Sequence, residues 1–184
     1  MIRLRDIGVE DKDKILTWRN QPEVARYMFT DHYITPEEHE KWFKRVLNEA
    51  SCRYWIIVCD EIDVGLANIY QLDRQNRRCY WAFYVADLSA RGKGVGSLAG
   101  YFVLRHVFDE LHLNKLCSEV LHFNEASVKM QERLGFQQEG LLREHIIKAG
   151  EAFDVVALAI LRTDWELNKL EIESRLRKKG ILAS

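Results

Sequence analysis

Phe83-Tyr84-Val85-Ala86-Asp87-Leu88-Ser89-Ala90-Arg91-Gly92-Lys93-Gly94-Val95-Gly96-Ser97-Leu98-Ala99 is the stretch that decides the fold. It continues an aromatic and β-branched run over residues 79–85 and leads into an apolar run over 98–111. The first pattern reads as a strand and the second as a helix. Between them lie Arg91, Gly92, Lys93, Gly94 and Gly96. A helix that opens on a glycine-rich turn points its first N–H groups outward, and its dipole favours negative charge there. Glycine lets the backbone approach a ligand where a Cβ would collide. Arg91 and Lys93 add positive charge at the rim. Phosphate suits such a turn, and the spacing selects among the known phosphate loops. The Walker A spacing is absent. The dinucleotide fingerprint fails at its third glycine, where Ser97 stands, and that loop belongs after the first strand of its unit, not about the fourth. Arg-x-x-Gly-x-Gly fits at Arg91, Gly94 and Gly96, against the alternative of a plain glycine-rich strand-to-helix turn.

The chain of 184 residues suits one domain with a substantial core. Its 47% hydrophobic and 30% charged residues are ordinary for a soluble globular protein. A net charge of −1 gives no bulk attraction to nucleic acid or to a membrane surface. Cys52, Cys59, Cys79 and Cys117 form no Cys-x-x-Cys, so reduced thiols are expected and a metal site is not. No apolar run reaches the length of a membrane span and the first residues lack an apolar signal core, so the expected location is cytoplasmic. Only Pro22 and Pro36 occur, and no proline-rich linker divides the chain.

Outward from the central stretch, residues 54–59, 64–72 and 78–85 read as three strands in an antiparallel meander. Before them come an alternating strand over 2–7, a helix over 11–20 and a second short helix over 23–28 opened by Pro22. Thr35-Pro36-Glu37-Glu38 has the cap, the first-turn proline and the capping-box glutamate of a helix that runs to about Asn48. After the central helix come a strand over 115–121 and a helix over 125–134 that Gly135 stops. A hairpin of 136–148 with 152–161 follows, then an amphipathic helix over 164–178. The order gives an α/β (α+β) fold, a mixed central sheet of about seven strands with helices on both faces.

This order, the Arg91/Gly94/Gly96 loop, and the run Asn124, Ser127, Gly135-Phe136 together resemble the Gcn5-related N-acetyltransferases over residues 1–166, with 167–184 a helical extension of the same domain. The resemblance implies the acyl-CoA N-acyltransferase fold and acetyl-coenzyme A as co-substrate, with no metal. It implies a pyrophosphate held by the main chain at Arg91, Gly92, Lys93, Gly94, Val95, Gly96 and Ser97. The pantetheine would lie along Phe83, Tyr84 and Val85 and touch Asn124 and Ser127. Asn124 also reads simply as a helix cap. Many members carry a tyrosine, as acid for the departing thiolate, where this chain has Gln131.

An amine must lose a proton before it attacks, and a carboxylate or histidine is the natural acceptor. Glu119, mid-strand, is the first choice of base; His122 and His39 are weaker. Trp18-Arg19-Asn20, the run from Tyr27 to His32, and Arg78-Cys79-Tyr80-Trp81 are similar to the amino-sugar branch of the family that serves pseudaminic acid biosynthesis and flagellin glycosylation. That similarity implies a nucleotide-sugar acceptor, acetylated on the 4-amine of a UDP-linked 4-amino-4,6-dideoxy sugar. Arg19 would clamp the diphosphate, and Met28, Phe29, His39, Trp42 and Tyr80 would line the acceptor pocket. The alternatives are a ribosomal-protein alanine N-acetyltransferase, a polyamine N-acetyltransferase and a non-catalytic acyl-CoA-binding module. The sequence admits a homodimer without requiring one.

Overall fold

The computed structural model describes residues 1–178, Gly180 and Leu182. Its strands are β1 (Ile2–Asp6), β2 (Arg53–Cys59), β3 (Ile62–Asp73), β4 (Arg78–Val85), β5 (Lys115–Leu121), β6 (Gln137–Lys148) and β7 (Glu151–Leu161). They form one sheet in the order β1-β2-β3-β4-β5-β7-β6. The helices are α1 (Lys12–Arg19), α2 (Pro22–Ala25), α3 (Pro36–Asn48), α4 (Val95–Arg105), α5 (Glu125–Arg133) and α6 (Arg162–Lys178). The mixed sheet with helices on both faces is the expected architecture.

Local chemistry sets the elements. Asp60 and Glu61 join β2 to β3 with φ of 49° and 64°, a tight turn whose twist matches the strands it connects. Thr35 caps α3: its Oγ1 accepts from the Glu38 N–H at 3.2 Å, and the Glu38 carboxylate accepts from the Thr35 N–H at 3.0 Å. α3 and α1 then bury Phe43 and Ile15 against Ile56, Val58 and Leu66 on one face of the sheet. The other face carries the larger core. There α4 is apolar nearly all round and buries Val95, Leu98, Tyr101, Val103 and Leu104. The expected boundary between 166 and 167 falls inside α6, whose Trp165, Ile172 and Leu176 enter this same core.

Two elements differ from expectation. α2 is one turn, Pro22–Ala25, where a helix to residue 28 was expected. The carbonyls of Ala25, Arg26 and Met28 instead accept from Lys148 Nζ of the β6–β7 hairpin, at 3.2, 2.9 and 2.7 Å. The backbone goes on to Met28 in looser turns, with the Met28 N–H on the Ala25 carbonyl at 3.0 Å, and a distant lysine caps the carbonyls left over. The central helix also widens after Arg105 into a π-type turn over His106–Glu110, closed by the Leu111 N–H on the His106 carbonyl at 2.9 Å.

Position matters most at β4 and β5. Their parallel pairing covers only Arg78 with Lys115, Cys79 with Leu116 and Tyr80 with Cys117. β5 stays paired with β7 along its whole length, and β4 stays paired with β3 up to Val85. The sheet therefore opens between residues 81–85 and 118–121, and β4 presents an unpaired backbone edge to the gap.

Candidate active site

A cleft of about 890 Å³ occupies this opening. Its walls are the open end of β4, the glycine loop, the first turns of α4 and α5, the middle of β5, Arg19 of α1 and residues 27–30 after α2.

The glycine loop is built to hold an anion. Gly92 and Gly94 adopt φ of 77° and 81°, left-handed values that favour glycine. The Arg91 N–H closes the preceding turn on the Leu88 carbonyl at 3.2 Å, and the Leu98 N–H is the first to bond back into α4, to Gly94 at 3.0 Å. Among the described residues, the N–H groups of Gly92, Lys93, Gly94, Val95, Gly96 and Ser97 donate to no protein group. This run of free amides at the start of an eleven-residue helix is what a pyrophosphate needs. Gly96 lies so close to Phe83 that a Cβ there would stand 2.8 Å from the ring, so the loop and the open edge of β4 meet as one surface.

Arg91 does something other than the sequence suggested. Its guanidinium donates to the Val85 carbonyl (3.0 and 2.9 Å) and to the Glu23 carbonyl (3.0 Å). It fixes the loop to the end of β4 and to α2, while Lys93, exposed beside it, lines the rim. Asn124 caps α5, its side chain accepting from the Ser127 N–H at 3.4 Å, and both residues line the cleft. The cap reading therefore holds.

Glu119 faces the cleft from β5, half-buried, with no hydrogen bond or ion pair among the described residues. Tyr70 stands with it; burial first, and the Glu119 charge second, push the Tyr70 phenol up. Arg19 is also half-buried and makes no hydrogen bond or ion pair among the described residues. Burial pushes its guanidinium down, offset in part by Tyr84. The Tyr84 hydroxyl is buried without a partner among the described residues, and burial pushes it up although Arg19 pulls the other way. Met28 and Phe29 line the cleft as expected.

His39, Trp42 and Tyr80 do not line it. His39 is buried, with Nε2 2.7 Å from the Lys12 carbonyl and its ring stacked on Trp42. Trp42 packs edge-on against Tyr54 in the α1–α3 core. Tyr80 sits on the last paired position of β4, one residue short of the opening, against Tyr70. His122 is exposed and is not part of the cleft wall. Tyr27, Tyr70 and Ser118 are lining residues that the sequence analysis does not assign to the site. Gln131, read only as a missing tyrosine, is almost wholly buried between the Trp81 indole and Ser127.

Among the described residues no helix is long and apolar enough to cross a membrane, and no group of three or more His, Cys, Asp or Glu could hold a metal ion.

The chain is 28% identical over 163 residues to the SPbeta prophage-derived uncharacterized N-acetyltransferase YokL of Bacillus subtilis, covering 88% of this chain and 91% of that protein. It is 25% identical over 139 residues to the acetyltransferase PseH of Campylobacter jejuni, covering 74% and 85%. The spermidine N-acetyltransferase of Vibrio cholerae, solved in complex with CoA and spermine, shares the fold at a TM-score of 0.84 and 22% identity, covering 90% of this chain and 98% of that one. Residues 2–137 match the acetyltransferase (GNAT) domain, and the chain belongs to that family of acetyl-CoA-dependent N-acetyltransferases.

Proposed function

We propose that the enzyme moves the acetyl group of acetyl-CoA onto the amine of an anionic small molecule, with the 4-amine of a UDP-linked 4-amino-4,6-dideoxy sugar of the pseudaminic acid type as the acceptor. The observation that carries this reading is Arg19. A half-buried guanidinium without a counter-ion among the described residues, in the wall of a substrate cleft, is costly until an anion arrives. A diphosphate supplies that anion and matches the guanidinium fork. Met28 and Phe29 beside it offer the apolar surface that a deoxy-sugar methyl or a base needs. The similarity to PseH supports the same choice.

A polyamine acceptor is the rival, given the Vibrio spermidine enzyme. A polycation would need clustered carboxylates. Of the side chains lining this cleft only Glu23 and Glu119 are acidic, against Arg19, Arg91, Lys93 and Arg133.

In this reading Glu119 takes the proton from the acceptor ammonium, directly or through one water, which leaves the nitrogen lone pair free to attack. Tyr70 narrows the site beside that carboxylate. The unpaired N–H groups of β4 beyond Tyr80 are placed to stabilise negative charge on the thioester oxygen. The loop amides of residues 92–97 hold the pyrophosphate.

The test is release of free thiol from acetyl-CoA with each acceptor class in turn. Turnover with a UDP-4-amino sugar and none with spermidine or an alanine-terminated peptide is expected. Turnover with spermidine alone overturns the acceptor assignment and leaves the family intact. Coenzyme A binding without turnover on any amine would reduce the protein to a binding module.

A further inference from the structure

The segment between α1 and α3 that forms one wall of the cleft has a single helical turn of its own, and side chains from elsewhere hold the rest. Arg91 of the glycine loop takes the Glu23 carbonyl at 3.0 Å. At the other end the tip of the β6–β7 hairpin fastens it. Lys148 Nζ directs its three donors to the carbonyls of Ala25, Arg26 and Met28, at 3.2, 2.9 and 2.7 Å, and the Ala149 N–H donates to the Asp31 carboxylate at 2.6 Å. Lys148 is half-buried and does not line the cleft. The tip is rigid: Ala149 and Gly150 turn with φ of 49° and 81°, the pattern of a two-residue hairpin turn. Further back, β6 bulges between Leu142 and Ile146, where the Glu144 N–H donates to the Asp154 carboxylate at 2.7 Å. The Asp154 carbonyl accepts from the His122 N–H at 2.9 Å, just past the end of β5. Glu119 of β5 pairs in turn with Ala157 of β7. A continuous hydrogen-bonded path thus runs from Glu119 through β5, β7 and the hairpin tip to Lys148, and from there to the backbone of Met28.

We infer that Lys148 is a positioning residue for the acceptor: from outside the cleft it latches residues 25–31 to the hairpin, and so fixes the gap between the Met28–Phe29 wall and Glu119. The inference rests on the proposed placement of the acceptor between that wall and Glu119, and not on which amine it carries. The gap matters because a shift of about 1 Å in a bound reactant can cost about 100-fold in rate. Lysine suits the latch, since an ammonium presents three donors on a tetrahedral end, whereas the planar fork of arginine cannot splay onto three carbonyls of one turn. Charge supplies the rival account. Asp31 and Arg19 lie within electrostatic range of Lys148, so the lysine could act only as a second positive charge beside Arg19. The two accounts part at Asp31. Loss of its negative charge favours an anionic acceptor, whereas loss of its bond to the Ala149 N–H loosens the wall.

The experiment compares wild type with Lys148→Met, Lys148→Arg and Asp31→Ala. Hydrogen exchange of the Tyr27 and Met28 amides, which donate to the Val24 and Ala25 carbonyls, reads the latch. The value of kcat/KM with the UDP-4-amino sugar reads the position. Lys148→Met should speed that exchange by about tenfold or more and lower kcat/KM by about 10–100-fold. Lys148→Arg should fall between Lys148→Met and wild type. Asp31→Ala should move both readouts in the same direction as Lys148→Met, by less. Coenzyme A affinity by calorimetry should be the same in all four proteins. Turnover of spermidine in place of the sugar by wild type corrects the acceptor alone. The same comparison is then made with spermidine, where the latch gives the same losses although every charge effect changes sign. Wild type without turnover on any amine is a failure of the proposed function, and exchange then decides the latch by itself. Unchanged exchange or unchanged kcat/KM in Lys148→Met, or in Asp31→Ala should the first variant not fold, overturns the inference. So does a higher kcat/KM with the sugar in Asp31→Ala, the mark of charge alone, or an equal loss of coenzyme A affinity, the mark of general loosening.

Discussion

Two groups of charged side chains in this molecule are arranged in opposite ways. Where β1, β3 and the start of α1 meet, Arg5 reaches both oxygens of Asp11 at 2.7 Å and Asp63 at 2.6 Å. Lys14 adds 3.2 Å to Asp11 and 2.5 Å to Asp63, and the Gly8 N–H donates to Asp11 at 2.9 Å. Asp11 is fully buried, and each of its oxygens has more than one donor. In the cleft, Arg19, Glu119 and the Tyr84 hydroxyl have no such partners among the described residues. A buried charge left unpaired costs stability, and under the proposed function the second set is offset only when a ligand binds.

That contrast can be broken from either side. The largest effect is expected at Glu119. Glu119→Gln should lower kcat by about 10²–10⁴, the usual contribution of a general base, and leave coenzyme A affinity by calorimetry unchanged. Unchanged turnover removes Glu119 from the reaction. On the closed side, Asp11→Ala leaves Arg5 and Lys14 to Asp63 alone and the Gly8 N–H without its acceptor, and should cost about 1–3 kcal/mol in urea unfolding, with kcat of the folded enzyme near wild type. The acid limb belongs to the same carboxyl. Burial pushes Asp11 up, but the bonds from Arg5, Gly8 and Lys14 outweigh it and hold the group at about 2, below its ordinary 3.8. A folded value below the unfolded one means that this stabilisation is full above about 3.8 and is lost as pH falls through about 2. Asp11→Asn should lose less in that window than wild type, the remainder belonging to Asp63, which burial pushes up but the same Arg5 and Lys14 hold below its ordinary value, as followed by thermal melts at stepped pH.

The sequence carried the local features well and the orientations poorly. The glycine loop, the Thr35 capping box and the hairpins are written in a few adjacent residues, and all form where expected. Arg91 shows the limit. Its place in the loop was legible, but that its guanidinium reaches back to the carbonyls of Val85 and Glu23 depends on how α2 packs on β4. Tyr80 missed the cleft by one position, because pairing of β4 with β5 ends at Tyr80 and no local pattern marks where two parallel strands part. Trp42 and His39 were assigned to a pocket because aromatic residues on an amphipathic helix suit either a pocket or a core, and here they serve the core. Tyr70 was hidden inside an apolar strand. The Trp81–Gln131 bond joins residues fifty positions apart, which spacing cannot reveal.

The smaller predictions ask whether the open groups are open for a ligand. Arg19→Met removes a guanidinium that has no hydrogen-bond or ion-pair partner among the described residues. If Arg19 awaits the acceptor's anion, KM for that acceptor should rise by about 10–100-fold, the size of a charge-assisted hydrogen bond, while Tm stays level or rises. A structural arginine like Arg5 would lower Tm on removal, so the sign of the melting shift distinguishes the two. Tyr84→Phe carries the argument to a single atom. Its hydroxyl is buried, lacks a partner among the described residues and lies near Arg19. An unmade hydrogen bond in the interior is a penalty that phenylalanine does not carry, so the substitution should stabilise by about 1 kcal/mol, a rise in Tm of about 2–4 °C for a chain of this length. A fall in Tm would mean that the hydroxyl is satisfied in the free protein, and the cleft would then hold one open group fewer than the contrast with Asp11 requires.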